Sequence, residues 1–439
     1  MGHTDSRGLS ISTSSPEAAR HYREGIDLLL SAWPGAGEAL KRAVEADADF
    51  ALAHAALARL HAIRAEPAEA KVRINAATEI ATRNGTAREQ SHVATLSFAV
   101  TGQARKALES ALSHLESWPR DVIILSLPLG AFGLFAFSGM AGHGQARVDL
   151  CERHERHFDA EDWWFLTYRG WSHTENGNVG YGRDLTQRGF DLRRANANGA
   201  HALSHAMFEQ GAGQDAEALI AGWLPTYDRS GTLHGHIAWH AALCALERGD
   251  PDGALVIYER HVQPSVSLGL PINIMTDAVS LLWRLQVYGY GVPGRLWRDA
   301  KAYSDAKFPK TGSSFVDAHM GLLAAGTGDR ASAATRIEAL TKLVENGTLA
   351  AGPVVPAICR AALAFADADY DGCVRILEPV SREVVRIGGS GAQREVIEDT
   401  LLVALMRSGE AQKARELLDN RLHRRPSPRD ARWRAEIAA

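Results

Sequence analysis

Cysteine is nearly absent: Cys151, Cys244, Cys359 and Cys373 are the four in 439 residues, far apart and without a Cys-x-x-Cys pair. That excludes a disulfide framework and a zinc knuckle, and it fits a reducing compartment. A surplus of one charge is missing too. Forty-eight Lys and Arg oppose 52 Asp and Glu, a net charge of −4 that gives no field for a polyanion, so nucleic acid is not an expected partner. Long apolar runs are also lacking. The most apolar stretch, Val122 to Phe137, is broken by Ser126, Pro128, Gly130 and Gly133, and predicts a buried repeat helix and no membrane span. Met1 to Ser15 is polar without an apolar signal core, so a cytoplasmic location is expected, with Asn84 and Asn346 unglycosylated in their Asn-Gly-Thr sequences.

Strand-like alternation barely occurs, whereas Ala, Leu, Arg and Glu recur at three- and four-residue spacing, which predicts an all-α chain. Apolar residues make up 46%, enough for a large core, but the length exceeds one compact domain unless repeats extend the fold. Ser14 or Ser15 caps the first helix, with Pro16 and Glu17 in its first turn.

A repeat is present. Turn-like positions fall at Ala65, Gly102, Gly139, Gly177, Gly213, Gly249, Gly289, Gly328, Asp369 and Gly409, spaced by 36 to 41 residues. Five residues after each turn stands a small residue, Val374 excepted: Ala70, Ala107, Gly144, Gly182, Ala218, Ala254, Gly294, Ala333 and Ala414. A small residue there lets the second helix of a pair approach its neighbour closely, as in tetratricopeptide repeats. Pro119 and Pro426 fit the helix-ending proline of that motif. The expectation is a tetratricopeptide-like α-solenoid, a superhelix of about ten helix-pair repeats over residues 16–426. It is preceded by a polar arm (1–15) and followed by a basic tail (427–439).

In such a solenoid the helix before each turn lines the concave surface. Four consecutive repeats carry polar residues there at matching heights. His201 and His205 lie 12 and 8 before Gly213, and His236 and His240 lie 13 and 9 before Gly249. Asp277 and Ser280 lie 12 and 9 before Gly289, followed by Arg284, and Asp317 and His319 lie 11 and 9 before Gly328. Spacing of i, i+4 puts both imidazoles of a pair on one helix face, and stacking brings the pairs side by side. Trp239, Trp283 and Met207 lie among them as candidate apolar walls. A lone His on a helix is most often a satisfied core or surface residue, and recurrence at matching heights weakens that reading without removing it.

Several chemistries suit the belt. His201, His205, His236 and His240 are candidate ligands for a divalent metal, although His201-Ala-Leu-Ser-His205 lacks the Glu of the metalloprotease helix and no familiar ligand set is complete. His and Asp (Asp277, Asp317, His319 included) also suit metal-free acid/base catalysis. Ser280 as a nucleophile is weaker, being mid-helix without an elbow. The leading expectation is a concave centre that binds a small polar ligand or an extended peptide, with Trp239, Ser280, Trp283 and Arg284 contributing. A hydrolase or lyase using the same belt, with Arg284 as anion clamp, is the alternative, and a pure interaction scaffold the third. A closed centre with these groups within roughly 3 to 5 Å of one another favours an enzyme, and an open groove favours peptide binding. A homo-oligomer is compatible with all three.

Gly289-Tyr-Gly-Val-Pro-Gly294 matches a dinucleotide loop only in letters, since it follows a helix and contains proline. At Gly388-Gly-Ser390, Ser390 is placed to cap a helix whose free N–H groups, with Arg394, suit an anion. The run Arg421, Arg424, Arg425, Arg429, Arg432 and Arg434 reads as a solvated basic helix end.

Long position-specific phrases carry a resemblance. They are Arg88-Glu-Gln-Ser-His92, His201 with His205, His236-Ile-Ala-Trp-His240 through Leu246-Glu-Arg-Gly249, Leu255 to Ser265, Asp277 to Leu285, Asp317-Ala-His319, and Gly388-Gly-Ser390 with Ala392-Gln-Arg394. In this order they resemble the tetratricopeptide repeat protein 38 family over nearly the whole chain. The resemblance implies a tetratricopeptide-like solenoid and no particular reaction or cofactor. It also implies a glutamate three after the second histidine of the first pair, where this chain has Phe208; the adjacent Glu209 points about 100° away on a helix.

Overall fold

The computed structural model describes residues 2–438; Met1 and Ala439, at the ends of the expected arm and tail, lie outside it. Among the described residues there are 23 α-helices, and the only strands are a short antiparallel hairpin pairing His3–Thr4 with Ser10–Ile11. The helices form successive antiparallel pairs of an α-solenoid. Ser15 caps Pro16–Leu30 through its side chain, with Pro16 at the first position.

Eight of the expected turns sit on left-handed backbone: Ala65, Gly102, Gly139, Gly177, Gly249, Gly289, Gly328 and Gly409. Two are shifted. Gly211 and Ala368 hold the left-handed conformation in place of Gly213 and Asp369, which begin or cap the following helix. The shift explains Val374: counted from the true turns, the small contact residues are Ala216 and Cys373, both buried, whereas Ala218 is exposed. Gly294 is exposed as well, opening Gly294–Lys307 instead of making a helix contact. Another pair, Pro16–Leu30 with Ala36–Ala46, precedes those expected, because its turn is a longer loop with left-handed Ala32 and Gly35. The array thus has eleven pairs before a final helix.

Close approach is tightest between Trp163–Glu175 and Val179–Leu192. A Cβ on Gly182 would lie 2.6 Å from the Gly170 carbonyl oxygen, so backbones touch where most pairs meet through side chains. That contact fixes the helix carrying Trp171 and Glu175.

The superhelix closes on itself. Ala197 donates its N–H to Ser31 O (2.9 Å), Asn198 Nδ2 to Leu30 O (2.9 Å) and the Tyr227 hydroxyl to Ala32 O (2.6 Å). Further along, Gly389 N–H reaches Ala131 O (3.2 Å) and Arg386 Nη1 reaches Gly139 O (2.9 Å). The front helices are consequently buried on nearly every side, His234–Arg248 most of all.

The basic tail is corrected. Pro428–Ala438 is a helix folded back on the array, and Arg421, Arg425 and Arg429 are buried. Arg421 donates to Asp430 (2.7 Å), Glu395 (2.7 Å) and Asp399 (2.9 Å), and Arg425 to Glu395 (2.7 Å) and Glu247 (3.1 Å). Acids of two earlier helices and Asp430 of the last helix itself, not solvent, receive these cations; Arg424 and Arg432 remain exposed. The polar arm is likewise docked: Arg7 forks onto Asp162 (2.9 and 3.1 Å) and Arg88 holds Ser10 O (2.8 Å).

Candidate functional site

The helices Ala197–Glu209 and His234–Arg248 stack in register and bring four imidazoles together, with one ring nitrogen of each of His201, His205, His236 and His240 within 4.8 Å of the others. His201 Nε2 lies 3.0 Å from His236 Nε2 and 3.1 Å from His240 Nε2. His205 packs edge-on to His240 at 4.2 Å between centroids, and Trp171 covers His201 (5.4 Å) and His205 (4.7 Å).

Two carboxylates orient the cluster from behind. Asp277, on Pro271–Val287, accepts from His236 Nδ1 at 2.8 Å, which fixes the proton on Nδ1 and leaves a lone pair on Nε2. Glu175 Oε1 lies 3.3 Å from His205 Nδ1, short of good hydrogen-bond alignment, so neither ring nitrogen of His205 is hydrogen-bonded. Burial pushes the Glu175 carboxyl up, but His205, Arg394 and Arg147 outweigh it and hold it at about 2. Burial, then the neighbouring imidazoles, depress His201 and His240 well below the ordinary histidine range, so both rings are neutral and carry lone pairs at neutral pH.

Glu175 escaped the sequence reading because it stands only two residues before Gly177, below the heights at which the belt was aligned. Phe208 is turned away, under the Arg425 guanidinium at 4.1 Å. The Ser390 helix terminus does meet an anion, but from within the chain: Gly391 N–H donates to Glu175 Oε2, while Ser390 makes a capping box with Gln393.

Other belt members are placed elsewhere. Asp317 pairs with Arg336 and accepts from Gly312 N–H (2.8 Å), anchoring the start of its own helix. His319 bonds Phe315 O (2.8 Å) and packs at a tilt against that ring. Arg284 has no free edge for an anion: it donates to Ala392 O (2.6 Å), lies 3.5 Å from Asp399 and covers the Trp239 ring. Ser280 bonds Asp277 O (3.3 Å), and Trp283 bonds Thr400 Oγ1 (2.9 Å). Trp239 stacks behind His236 at 5.5 Å and is fully buried, so it is a support and not a wall. Arg394 caps the Gly388–Gly389 carbonyls at the edge of a second cavity. The ladder ends at Asp277: the next front helix packs between Pro271–Val287 and Val354–Ala366, and its Asp317 and His319 are engaged within their own repeat.

A cavity of about 420 Å³ adjoins the cluster, with His201 and His236 in its wall. The rest is mainly apolar, including Leu28, Trp33, Leu96, Leu127 and Phe132, and its polar interruptions include Arg59, Arg64, Asn198, Asn273 and Gln393. His201 is the most open of the four imidazoles.

A second group, His92, His114 and Asp121, also has ligand-like spacing. There Asp121 Oδ2 already accepts from Arg88 (2.7 Å) and His92 (2.9 Å), with His114 at 3.3 Å. A guanidinium on the same oxygen repels a metal ion. The Arg88–His92 phrase is therefore accounted for as a strut that holds the hairpin and Asp121 together.

No protein-family model matches the chain. Among solved structures it is similar to an IFIT1 monomeric mutant with Gppp-AAAA, at 14% identity and a TM-score of 0.39, covering 94% of this chain and 88% of that one. It is also similar to yeast Tom70, at 11% identity and 0.32, covering 96% and 94%, and to the P58(IPK) TPR domain, at 11% and 0.22, covering 90% of each. Scores this low carry nothing about ligand or partner. Among the described residues no helix is long and apolar enough to cross a membrane.

Proposed function

We propose that the closed centre is a small-molecule chamber and that His201, His205, His236 and His240 hold a transition-metal ion at its wall. The meeting of three Nε2 atoms carries this reading. A single His201 nitrogen offers one proton or one lone pair, so it satisfies one of its neighbours at 3.0 and 3.1 Å and not both. A cation at the meeting point satisfies all of them. Tetrahedral nitrogen ligands about 2.0–2.1 Å from zinc are roughly 3.3 Å apart, close to the spacing here. Histidine ligands backed by carboxylates, as His236 is by Asp277 and His205 by Glu175, are the usual way such rings are held. Neutral imidazole suits Zn, Cu, Ni and Fe.

The chamber's apolar lining favours a ligand with an apolar body over a fully polar one. An extended peptide is the weaker reading, since Leu30, Ser31 and Ala32 bond across the mouth that an open groove would need. Because His201 and His236 face the chamber, a bound metal would face the ligand, which favours hydrolase or lyase chemistry as the second reading. The phrases quoted above support assignment to the tetratricopeptide repeat protein 38 family, and four unpaired buried thiols suit the cytoplasm.

The test is titration of chelator-treated protein with Zn(II) and Co(II), with elemental analysis after gel filtration. One equivalent is expected, with tetrahedral Co(II) absorption, and His240→Ala and His201→Gln each weaken uptake at least a hundredfold while the fold persists. Folded wild-type protein that takes up neither ion would sink the proposal. Two equivalents, one surviving in both variants, would move metal binding to the His92 group.

A further inference from the structure

Two arginines line the chamber without a carboxylate at salt-bridge distance among the described residues: Arg64, which is exposed, and Arg59, which is set into the wall. Arg59, on Ala51–Ile63, lies in the cavity wall and donates Nη1 to Ile123 O at 2.7 Å. That is its one hydrogen bond among the described residues, and no carboxylate comes within salt-bridge distance. Several interior arginines do meet acids, Arg88 on Asp121, Arg421 on four, Arg425 on Glu247 and Glu395, whereas fully buried Arg147 has no partner on Nε or Nη1 and lines no part of this chamber. Holding a half-buried guanidinium among Leu28, Leu96 and Leu127 without a counter-ion costs stability, and an anionic group on a bound ligand would offset that cost.

We infer that Arg59 is the anchor for the carboxylate of a ligand whose apolar body fills the chamber. With Nη1 tied to Ile123 O, the guanidinium plane is pinned and its Nε–Nη2 edge stays unpaired, the two-donor fork that matches a carboxylate. Tyr168 in the same wall is no substitute, because burial pushes its hydroxyl further up and keeps it neutral. Burial lowers Arg59 itself only to about 10, so it stays charged at neutral pH. Among the remaining lining residues, Asn198, Asn273 and Gln393 are neutral, no acid is present, and exposed Arg64 adds a second positive charge. The ligand class is thus an amphipathic acid, monoanionic at one end and hydrocarbon or aromatic over the rest.

This inference rests on the chamber reading and not on the metal. Calorimetry with decanoate, decanol and decyl phosphate, on metal-free and Zn-loaded protein, separates the possibilities. Decanoate is expected to bind wild type at least tenfold more tightly than decanol, and to fall to the decanol level in Arg59→Met. Arg59→Lys, which keeps charge but not the fork, is expected in between and serves if Arg59→Met does not fold. Retained binding in His240→Ala supports Arg59 as the anchor whether or not metal is taken up. Overturning results are equal affinity for decanoate and decanol, no binding of either at millimolar concentration, or decanoate binding lost in His240→Ala and unaffected in Arg59→Met. A decisive preference for decyl phosphate would replace the carboxylate with a phosphate monoester and overturn the stated class.

Discussion

Gly391 donates its backbone N–H to Glu175 Oε2 at 2.8 Å across 216 positions of sequence, and the other oxygen of that carboxylate faces His205. One helix terminus therefore holds a carboxylate beside an imidazole that lies five helix pairs earlier along the array. Ordinary capping at Ser390 and site orientation at Glu175 are the same piece of structure.

Glu175→Gln keeps the bond to Gly391 and removes the charge behind His205. Metal affinity is expected to fall by about 10–100-fold, the usual cost of losing a carboxylate behind a ligating histidine, with the melting temperature of metal-free protein little changed. Competition against a chromophoric chelator measures it. An unaltered affinity would mean that His205 is not a ligand.

Acid sensitivity follows from imidazoles buried in neutral form. Burial, with Arg147 and Arg394 nearby, takes His143 to about 4; burial with His261 and Arg229 does the same for His234; and burial, with Arg284, does so for His319. In the unfolded chain each titrates near 6.5, so between about pH 6.5 and 4 the unfolded state binds protons that the folded state does not. Stability should fall as pH drops through that window, each unit of separation being worth about 1.4 kcal/mol at most, and these three should add nothing below it. Urea unfolding of metal-free His319→Gln should show a pH slope shallower by about one proton. An identical slope would contradict the assignment.

Arg421→Met should be severe. It strips a cation from Asp399, Asp430 and Glu395, all buried, and removing one partner of such a network costs about 3–5 kcal/mol. Denaturant midpoints check it. A loss near that of an exposed pair such as Arg83–Asp49 would show that the acids are rescued by Arg425 and Arg429 alone.

Gly182→Ala tests the closest helix contact. The added methyl would press on Gly170 O and Thr174, and overpacking of this kind costs about 1–3 kcal/mol. Because Trp171 and Glu175 ride on the displaced helix, metal affinity should drop with stability. Gly294→Ala, at an exposed position, is the control and should change neither.

The repeat was legible because left-handed turns need glycine or pay strain, so Gly102, Gly249, Gly289 and Gly328 mark the period directly. Ala368 and the Ala32–Gly35 loop hid their turns by using alanine or extra length. The imidazole pairs were legible since i, i+4 spacing and stacking are both local consequences of helices. Asp317 and His319 fall outside the cluster because Arg336 and the Phe315 carbonyl engage them within their own repeat, which spacing along the chain does not reveal. Glu175, Arg59 and the buried C-terminal arginines depend on contacts between distant turns of the superhelix, and one-dimensional spacing carries no trace of which turns meet.

Closure of the ring also dictates an order of assembly during synthesis. When residue 248 leaves the ribosome, every imidazole of the cluster has been made, yet the terminus that steadies Glu175 lies beyond residue 390 and the partners of Arg421 wait for it as well. A nascent chain halted soon after residue 248 lacks both Asp277 and the Gly391 terminus, so its imidazoles stand without either steadying contact beside an open apolar trough. Chaperones and stray metal ions would both meet that species before the finished protein exists.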